Sequence, residues 1–406
     1  MAGRPQPSRE FAPALDGEAG RELRRLIDLE VRRDYGAFFT GSAFAEKLAA
    51  LAPKSSYYDP SCGAGDLLLA AARRLPVLAT LRATVALWSR WLGGCDLHSE
   101  FVRATKARLV LLARSRGVFV ETLSPKHLKS AFPKIKVGDA LAAGIQPLRG
   151  ATILMNPPYF SVTMPAGCTW WGHGNVNIAA VFVQTFLARA PAGTDLLAIL
   201  PEVLRSGSSY THWRTSLAQA TSELEVKSWG IFDANADVDV FMLKVRKKAD
   251  DKTPAAKWPI ARAKRAPLGN TFDVSVGAVV PHRHRRIGIL RRYLDARSAP
   301  CGGTVQRVKV RRKFKGKVVK PPFVVVKRTS RPGDKFRAAP TVVMGTQPVA
   351  VENHLIVCQP KDGKIVTCTT LAKRLRSDAV NRSLNRTIRC RHLTVGAVRT
   401  IDLANG

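Results

Sequence analysis

Residues 59–66 read DPSCGAGD, and they lie where a β-type run of sequence ends and a helical pattern begins. Glycines at such a turn let the backbone approach a ligand closely, and the free amides of a helix N-terminus favour negative charge. The spacing is Gly63-x-Gly65, which lacks the third glycine of the GxGxxG turn that binds dinucleotides. The acid at the strand end, Asp59, would repel a pyrophosphate and suits a ligand that carries an ammonium group. Taken alone, the stretch is explained as well by an ordinary turn that ends in a capping Asp66.

Strand-like and helix-like runs alternate through the first half of the chain. The strand candidates are 56–59, 91–97, 134–138, 152–155 and 196–200, and the helical patterns among them are 67–75, 101–116, 178–190 and 203–218. Alternation of this kind is typical of a doubly wound, mostly parallel sheet with helices on both faces. We therefore expect a Rossmann-like α/β fold. The closing runs 224–231 and 238–245 predict an antiparallel hairpin at one edge of the sheet.

Acidic residues stand at the ends of three successive predicted strands, at Asp59, Asp96 and Asp139. In an open α/β sheet the carboxyl ends of the strands form the crevice in which ligands bind. A carboxylate at Asp96 can accept both hydroxyls of a ribose, and one at Asp139 can accept from the exocyclic amine of an adenine. Each acid alone is more often a solvated loop residue, but the three together predict a crevice for a nucleoside. S-adenosylmethionine is a nucleoside that also carries the ammonium group which Asp59 suits.

The tetrapeptide Asn156-Pro157-Pro158-Tyr159 directly follows the apolar run 152–155. The amino nitrogen of adenine is a poor nucleophile because its lone pair is delocalised into the ring. The Asn156 side-chain oxygen and the Pro157 carbonyl can each accept one N–H of that amino group, which draws the nitrogen toward tetrahedral geometry. The prolines fix φ and add no competing donor, so the acceptors are preorganised. Tyr159 offers a flat face to a base that has left the stack, and a proline-rich turn without a ligand is the alternative.

Together, these motifs resemble the N6-adenine DNA methyltransferases of restriction–modification systems in the gamma arrangement, which places target recognition after the catalytic core. The resemblance extends over about residues 36–245. It begins with GAFFTG at 36–41, where Gly41 replaces the proline that usually follows the threonine of this segment. It departs from the family again at Asp96, because the Asp-Pro pair that commonly comes next is missing.

The resemblance implies a class I methyltransferase fold that uses S-adenosylmethionine and methylates an adenine flipped out of duplex DNA. It assigns catalysis to Asn156, Pro157, Pro158 and Tyr159. It also implies that Tyr159 and Phe232 stack on opposite sides of the flipped base. The residues that it assigns to the cofactor are Phe39, Thr40, Asp59, Cys62, Gly63, Gly65, Asp96, Asp139 and Phe182.

The net charge of +35 is spread unevenly along the chain. Between Lys244 and Arg337 there are 28 lysines and arginines against 5 acids, a net charge of +23. A polyanion is the expected partner because neutralised phosphates release condensed counterions, and RNA or a membrane surface satisfies that argument as duplex DNA does. We interpret 249–406 as a smaller, β-rich target-recognition domain after a methyltransferase domain at 21–248. Cations that alternate along a strand share one face, and the predicted DNA-binding residues are Arg283, Arg285, Arg286, Arg311, Arg312, Lys313 and Lys315.

Several features exclude other classes of protein. No apolar run reaches the length of a bilayer span, and residues 1–20 read as a flexible tail without a secretory signal. The seven cysteines form no CxxC pair, so we expect unpaired thiols in a reducing cytoplasm, without a disulfide framework or a metal site. The sequence therefore predicts a cytoplasmic enzyme that acts at a bacterial or archaeal nucleoid.

Three alternative functions stay open on the sequence. A protein methyltransferase that modifies a glutamine amide also uses an Asn-Pro-Pro-Tyr motif, but such enzymes lack a large basic domain after the core. An RNA base methyltransferase fits the charge equally well, and a non-catalytic DNA-binding subunit is disfavoured because every catalytic position is filled. The residues before Gly36 are too few for a nuclease domain, so a restriction endonuclease would be a separate chain. The loop 161–176 contains Trp170, Trp171 and His173. It would close over the target base, press into the duplex, or form an ordinary surface loop.

Overall fold

The computed structural model describes residues 12–15, 40–53, 56–119, 122–142, 147, 149–164, 174–232, 238–259 and 266–404. These residues divide into two compact units. The first contains the described residues up to Leu204 together with Thr211–Pro259, and the second contains Arg205–Tyr210 together with the described residues after Pro259. The chain thus enters the second unit briefly at Arg205–Tyr210 and again after Pro259. The sequence predicted one boundary, after residue 248.

A seven-stranded sheet forms the centre of the first unit. Its strands are β1 (Ser56–Asp59), β2 (Leu92–Asp96), β3 (Ile135–Val137), β4 (Ala151–Met155), β7 (Asp195–Pro201), β8 (Thr221–Ile231) and β9 (Asp239–Lys247), while β5 (Ser161–Thr163) and β6 (Asn175–Asn177) form a separate antiparallel ribbon. The strand order is β3-β2-β1-β4-β7-β9-β8. The first five strands are parallel, and β9 runs antiparallel to both of its neighbours. The predicted Rossmann-like, mostly parallel sheet is confirmed, and so is the hairpin of β8 and β9 at its edge.

Helices lie before β1 and between strands of this sheet, and the crossovers from β1 to β2, from β2 to β3 and from β4 to β7 contain at least one each. They are α1 (Ala12–Leu15), α2 (Ser42–Leu51), α3 (Asp66–Ala72), α4 (Leu81–Trp91), α5 (Ser99–Ser115), α6 (Pro125–Ser130), α7 (Ile178–Arg189), α8 (Glu202–Ser206) and α9 (Thr211–Gln219). Strand β4 is buried along its whole length, and its sequence ATILM accordingly does not alternate between polar and apolar residues. In the part of the chain that the structure describes, no helix is both long and apolar enough to cross a membrane.

Two segments of the first half differ from the sequence prediction. The pattern at 203–218 predicted one helix, but a 3-10 turn at Ser208–Tyr210 separates α8 from α9. The interruption follows Gly207, and glycine and serine both weaken a helix interior because they favour other backbone conformations. Within the predicted flexible tail, α1 forms one helical turn, and its Leu15 is buried in the core of the first unit at 4% exposure.

The second unit contains two sheets and several helices. Its strands are β10 (Phe272–Val276), β11 (Ile289–Leu294), β12 (Thr304–Val305), β13 (Arg311–Phe314), β14 (Phe323–Lys327), β15 (Pro340–Val343), β16 (Val349–Val351) and β17 (Leu355–Pro360), and its helices are α10 (Leu268–Thr271), α11 (Ile365–Leu375), α12 (Asp378–Thr387) and α13 (Val395–Arg399). One sheet has the order β10-β17-β14-β15-β12 and the other β13-β11-β16. The predicted β-rich region is confirmed, but the sequence reading missed the helices after Ile365. The buried residues Cys368, Leu371 and Leu375 have the spacing of one helix face.

Candidate active site

A cavity of about 260 Å³ opens where the carboxyl ends of β1, β2, β3 and β4 meet at one edge of the sheet. The strand order reverses here, because β1 is followed outward by β2 on one side and by β4 and β7 on the other. Ligands of open α/β sheets bind at such a switch point. The predicted site residues that line this cavity are Gly63, Asp96, Asp139, Asn156, Pro158 and Phe182.

The glycine-rich turn after β1 is shaped by buried residues. Asp59 is 1% exposed, and its Oδ1 accepts the N–H of Ser61 at 3.0 Å. Burial raises the pKa of the Asp59 carboxyl to about 8. Gly65 has a φ of 91°, and a Cβ there would approach a side chain of α5 to 2.8 Å, so only glycine fits. Asp59, Gly65 and the buried Cys62 thus shape the turn, while Ser61 and Gly63 form the cavity wall.

Asp96, at the end of β2, lies in the cavity wall and ties two loops together. Its Oδ2 accepts the N–H of Gly63 at 2.8 Å, and its Oδ1 accepts the N–H of His98 at 3.0 Å. Burial raises the pKa of the Asp96 carboxyl, and these two hydrogen bonds oppose that rise. Each carboxylate oxygen has further acceptor capacity, so the group can accept two more donors, which is what a ribose diol requires.

Asp139 and Phe182 line another part of the same cavity. The Oδ1 of Asp139 accepts the N–H of Leu141 at 2.9 Å, which orients the carboxylate in the loop after β3. Phe182, on α7, is 7% exposed, and its ring stacks on that of Phe186 with the centroids 6.3 Å apart. An acceptor and an aromatic ring in one wall suit a purine that carries an exocyclic amine.

The sequence reading did not identify the apolar part of the cavity wall, which is formed by Leu97, Phe101, Phe160 and Ile178. Leu97 directly follows Asp96 and is 58% exposed, which is high for a large apolar side chain. The sequence feature that could have identified Leu97 is its position, an apolar residue next to an acid at the end of a strand. Such residues give a flat apolar ligand a surface to contact, while the acid fixes its orientation.

The predicted catalytic tetrapeptide lies directly after β4. Asn156 is 8% exposed, and its Nδ2 donates to Oγ1 of Thr40 at 3.1 Å. The hydroxyl of Tyr159 lies 2.6 Å from Asn156 Oδ1 and 3.0 Å from the carbonyl oxygen of Ile199. Burial raises the pKa of the Tyr159 hydroxyl, so this group stays protonated and acts as the donor. Both ends of the Asn156 amide therefore have a defined partner.

The rings of Tyr159 and Phe232 contact each other edge to face, with centroids 6.3 Å apart and 66° between the planes. Phe232 is 7% exposed, and its ring centroid lies 5.3 Å from that of Phe44. The sequence predicted two rings on opposite sides of a base, whereas here the rings touch directly. A base can enter between them only after this contact opens. Four further residues of the prediction lie outside the described residues, namely Phe39, Trp170, Trp171 and His173.

The sequence did not predict a buried ion pair that lies next to the glycine-rich turn after β1. Arg108 of α5 donates to Oδ1 of Asp66 at 2.9 Å, and the two side chains are 4% and 6% exposed. Arg108 also donates to the carbonyl oxygens of Ala14 and Ala64. The Oδ2 of Asp66 accepts the N–H of Gly41 at 2.9 Å. The sequence suggested Asp66 as a helix cap, but its carboxylate joins the segment before α2 to α5.

Metal-binding groups and disulfides are absent from the described residues. Within those ranges no three or more His, Cys, Asp and Glu side chains come together as a group that could hold a metal ion. The cysteines there are free thiols, namely Cys62, Cys95, Cys301, Cys358, Cys368 and Cys390.

The basic residues of β13 have two different environments. Arg311 and Lys313 are exposed, whereas Arg312 is only 8% exposed. The Arg312 guanidinium donates to the carbonyl oxygen of His284 at 2.6 Å and lies 5.6 Å from the ring centroid of Tyr293. The prediction of Arg312 as a DNA-binding residue is therefore corrected, because its guanidinium is buried against the protein. The other predicted cations are exposed, namely Arg283, Arg285, Arg286, Arg311, Lys313 and Lys315.

Exposed apolar side chains accompany these cations on β11. Ile289 and Leu290 are 62% and 53% exposed, and Leu290 pairs with Lys313 on the neighbouring strand. Farther along the same pair of strands, Arg292 lies opposite Arg311. Partial burial and the charges of neighbouring arginines lower the pKa of the Arg292 guanidinium. The surface thus combines mutually repelling cations with apolar side chains that water contacts.

No protein-family model matches the sequence, and no curated protein matches it. Among solved structures, the type IIL restriction-modification enzyme MmeI in complex with DNA matches over 97% of this chain and 66% of its own, with a TM-score of 0.50 and 11% identity. The M protein of the type I restriction enzyme EcoKI matches over 54% of this chain and 46% of its own, with a TM-score of 0.39 and 20% identity. A putative class I S-adenosylmethionine-dependent methyltransferase from Listeria monocytogenes matches over 60% of this chain and 70% of its own, with a TM-score of 0.41 and 13% identity.

At these identities the similarities concern the fold alone. The strand order and directions of the central sheet, together with the similarity to MmeI, establish a doubly wound, mostly parallel α/β fold. This chain spans about half of the EcoKI M protein and 66% of MmeI.

Proposed function

We propose that the protein is an S-adenosylmethionine-dependent DNA methyltransferase that methylates the N6 amino group of an adenine flipped out of duplex DNA. The observation that carries this proposal is the position of Asn156 and Pro158 in the wall of a cavity that Asp96 and Asp139 also line. Methyl transfer to an amino group requires a nucleoside cofactor and a group that polarises the acceptor in one crevice. This cavity has residues suited to both tasks.

The cavity residues fit a nucleoside that carries a sulfonium group. Asp96 would accept the two ribose hydroxyls with the acceptor capacity that its bonds to Gly63 and His98 leave. Asp139 would accept a hydrogen bond from the exocyclic amine of the cofactor, and the ring of Phe182 would contact its adenine. Bound S-adenosylmethionine supplies the electrophilic methyl group.

Asn156 and Pro157 act on the target base. The Oδ1 of Asn156 and the carbonyl oxygen of Pro157 accept the two N–H groups of the adenine amine, and these acceptors need little reorganisation because the protein already holds them. The Tyr159 hydroxyl, which now lies 2.6 Å from Asn156 Oδ1, turns to the carbonyl oxygen of Ile199 when the base enters. The ring of Tyr159 stacks on the base once its edge-to-face contact with Phe232 has opened.

The second unit supplies the contact to the duplex in this proposal. Exposed cations of β13 and of the turn before β11 bind phosphates. The net charge of +23 between Lys244 and Arg337, most of which lies after Pro259, attracts the polyanion. Ile289 and Leu290, which are exposed beside these cations, contact apolar groups in a groove, such as the thymine methyl. Fold similarity to MmeI, whose structure is a DNA complex, supports DNA over RNA or a glutamine side chain as the substrate.

The experiment that tests this function identifies the methylated nucleoside. The purified protein is incubated with radiolabelled S-adenosylmethionine and unmethylated bacterial DNA, and the DNA is digested to nucleosides. We expect label on N6-methyladenine, and no label with the Asn156→Ala variant. Label on cytosine would change the base, while label only in added RNA or protein would move the enzyme to one of the alternative classes.

A further inference from the structure

The hydrogen bond between Asn156 and Thr40 holds the nitrogen end of the Asn156 amide. An asparagine side chain has one acceptor oxygen and one donor nitrogen, and only the oxygen can accept from the amino group of a base. The Nδ2 of Asn156 donates to Oγ1 of Thr40 at 3.1 Å, and the two residues are 8% and 9% exposed. Rotation of the amide by half a turn would bring Oδ1 to Thr40 and present donors to the donors of the base.

The contact at the other end of the amide is exchangeable. The Tyr159 hydroxyl has one hydrogen, and two acceptors lie within reach, at 2.6 Å on Asn156 and at 3.0 Å on the Ile199 carbonyl. Tyr159 can therefore release Asn156 and still donate to a buried acceptor. The bond to Thr40 does not compete with the base, since it uses the nitrogen rather than the oxygen. Thr40 can hold the amide while Tyr159 gives way.

The position of Thr40 is itself fixed by the next residue. The N–H of Gly41 donates to Oδ2 of Asp66 at 2.9 Å, and Asp66 forms the buried ion pair with Arg108. Gly41 occupies the place of the proline that is usual in similar enzymes, and proline has no N–H to donate. Gly41 also has a φ of 70°, which favours glycine. This chain thus has a backbone anchor directly beside Thr40 that a proline could not provide.

We propose that Thr40 is a positioning residue for methyl transfer: its hydroxyl anchors the Asn156 side chain, so that the amide oxygen keeps its place for the incoming base. The inference rests on the proposed function, and it differs from the cofactor contact that the sequence resemblance assigns to this segment. A positioning role predicts an effect on the rate of transfer rather than on cofactor affinity.

Three proteins test the role of the Thr40 hydroxyl, namely the full-length wild type, Thr40→Val and Thr40→Ser. Valine keeps the shape of threonine and lacks the acceptor, whereas serine keeps the acceptor. Unmethylated phage DNA serves as the methyl acceptor, and calorimetry with S-adenosylhomocysteine measures cofactor affinity. We expect Thr40→Val to lower kcat by about 100-fold, the size of effect that a misplaced catalytic group can have. KM for DNA and Kd for S-adenosylhomocysteine should stay close to wild type, and Thr40→Ser should restore most of kcat.

The matched control is Thr221→Val in the same unit. Thr221 is fully buried, and its hydroxyl donates to the carbonyl oxygens of Leu217 and Ala218. Its loss removes a buried threonine hydroxyl as Thr40→Val does, so any general cost to folding appears in both variants. We expect Thr221→Val to lower Tm and to keep the wild-type kcat.

The outcomes separate this inference from the proposed function. If the wild type methylates adenine and Thr40→Val has an unchanged kcat, or raises only the Kd for S-adenosylhomocysteine, the positioning role is overturned and the proposed function stands. If the wild type methylates no DNA, the proposed function fails. Whatever the activity, NMR of the protein with ¹⁵N-labelled asparagine tests the Asn156–Thr40 hydrogen bond directly, through the side-chain amide signals. The exchange of the Asn156 amide protons should be slowed in the wild type and in Thr40→Ser, and unprotected exchange in the wild type would overturn the contact.

Discussion

The crevice of the first unit and the three-stranded sheet of the second unit hold their polar side chains in different ways. In the crevice, Asp96 accepts two amide hydrogen bonds, and the Asn156 amide has a partner at each end. On the sheet, Arg311 and Lys313 project into solvent, and the neighbouring Arg292 has a lowered pKa because of partial burial and nearby arginines. The first arrangement fixes the orientation of single groups, whereas the second concentrates charge of one sign.

This difference predicts how each region responds to substitution. A preorganised group is worth several kcal/mol because it needs no reorganisation when the ligand or transition state forms. An exposed cation contributes one of many similar phosphate contacts. Its removal should therefore lower DNA affinity only slightly, and by about as much as removal of a neighbouring cation. Substitutions in the crevice should therefore have large and specific effects, and substitutions on the sheet should have small and additive ones.

The largest effect is expected for Asn156→Ala. Loss of one preorganised polar group in an active site typically lowers the rate by about 100- to 1000-fold. Cofactor and DNA binding should be largely retained, because Asn156 acts on the base only after it has entered the cavity. Single-turnover transfer of label to DNA measures the rate, and calorimetry with S-adenosylhomocysteine measures binding. Wild-type rates in the variant would remove Asn156 from the mechanism.

Asp96→Ala should weaken cofactor binding. The loss of hydrogen bonds to a charged group costs about 1.5–3 kcal/mol, which corresponds to roughly 10- to 100-fold in Kd. Asp273→Ala is the control, because Asp273 is an exposed acid on β10 of the second unit and its loss changes the net charge equally. Calorimetric titration with S-adenosylmethionine compares the two variants. Equal affinity in both would place the ribose elsewhere.

The buried Asp59 predicts a dependence of stability on pH. Its pKa rises from 3.8 to about 8 because burial disfavours the charged carboxylate. Between these values the folded protein retains a proton that the unfolded chain has lost, so the free energy of unfolding decreases as pH rises through this window. Asp59→Asn should reduce that decrease, since its amide oxygen can still accept from Ser61 and it does not ionise. Denaturant unfolding at several pH values measures the trend, and identical pH profiles for variant and wild type would contradict it.

Arg312→Ala and Arg311→Ala compare a buried and an exposed arginine on one strand. Arg312 is 8% exposed and donates to a backbone carbonyl oxygen of the preceding turn. Its removal takes away a hydrogen bond from a charged donor, which costs about 1.5–3 kcal/mol, whereas an exposed substitution usually changes stability by less than about 0.5 kcal/mol. Denaturant unfolding of the two variants measures the difference. Similar losses in both would mean that the two guanidinium groups have similar environments.

The sequence predicted the residues that line the crevice better than it predicted the contacts that hold those residues in place, and the reason is physical. Strand ends are encoded locally, because an apolar run followed by an acid or by Asn156 is visible in a few adjacent letters. The bond from Asn156 to Thr40 joins residues 116 positions apart, and the Asp66–Arg108 pair joins residues 42 apart. No local pattern indicates that these residues pair with each other, so only the tertiary fold reveals the two contacts.

The same reasoning explains the error at Arg312. The sequence prediction assigned Arg311, Arg312 and Lys313 together, but side chains alternate along β13, so Arg311 and Lys313 lie on one face and Arg312 on the other. Which face is buried depends on the packing of Tyr293 and the turn at His284, which lie elsewhere in the chain. Local periodicity therefore predicts that two faces exist, and packing decides which one meets solvent.

The smallest expected effect concerns the exposed cations of the sheet and tests whether their position matters or only the net charge. Arg311→Gln and Lys313→Gln should each reduce the slope of log K for duplex DNA against log salt by about 1, because each removes one phosphate contact and the counterion that it displaces. Sequence preference and cofactor affinity should not change, since a phosphate contact reads no base. The control Lys129→Gln removes an equal charge from an exposed position on α6, and there the slope should stay that of the wild type. Fluorescence anisotropy with a labelled duplex at increasing salt measures all three. If Lys129→Gln lowers the slope as much as Arg311→Gln does, then the net charge of the protein determines DNA binding. In that case the three-stranded sheet of the second unit would not be a distinct DNA-binding surface.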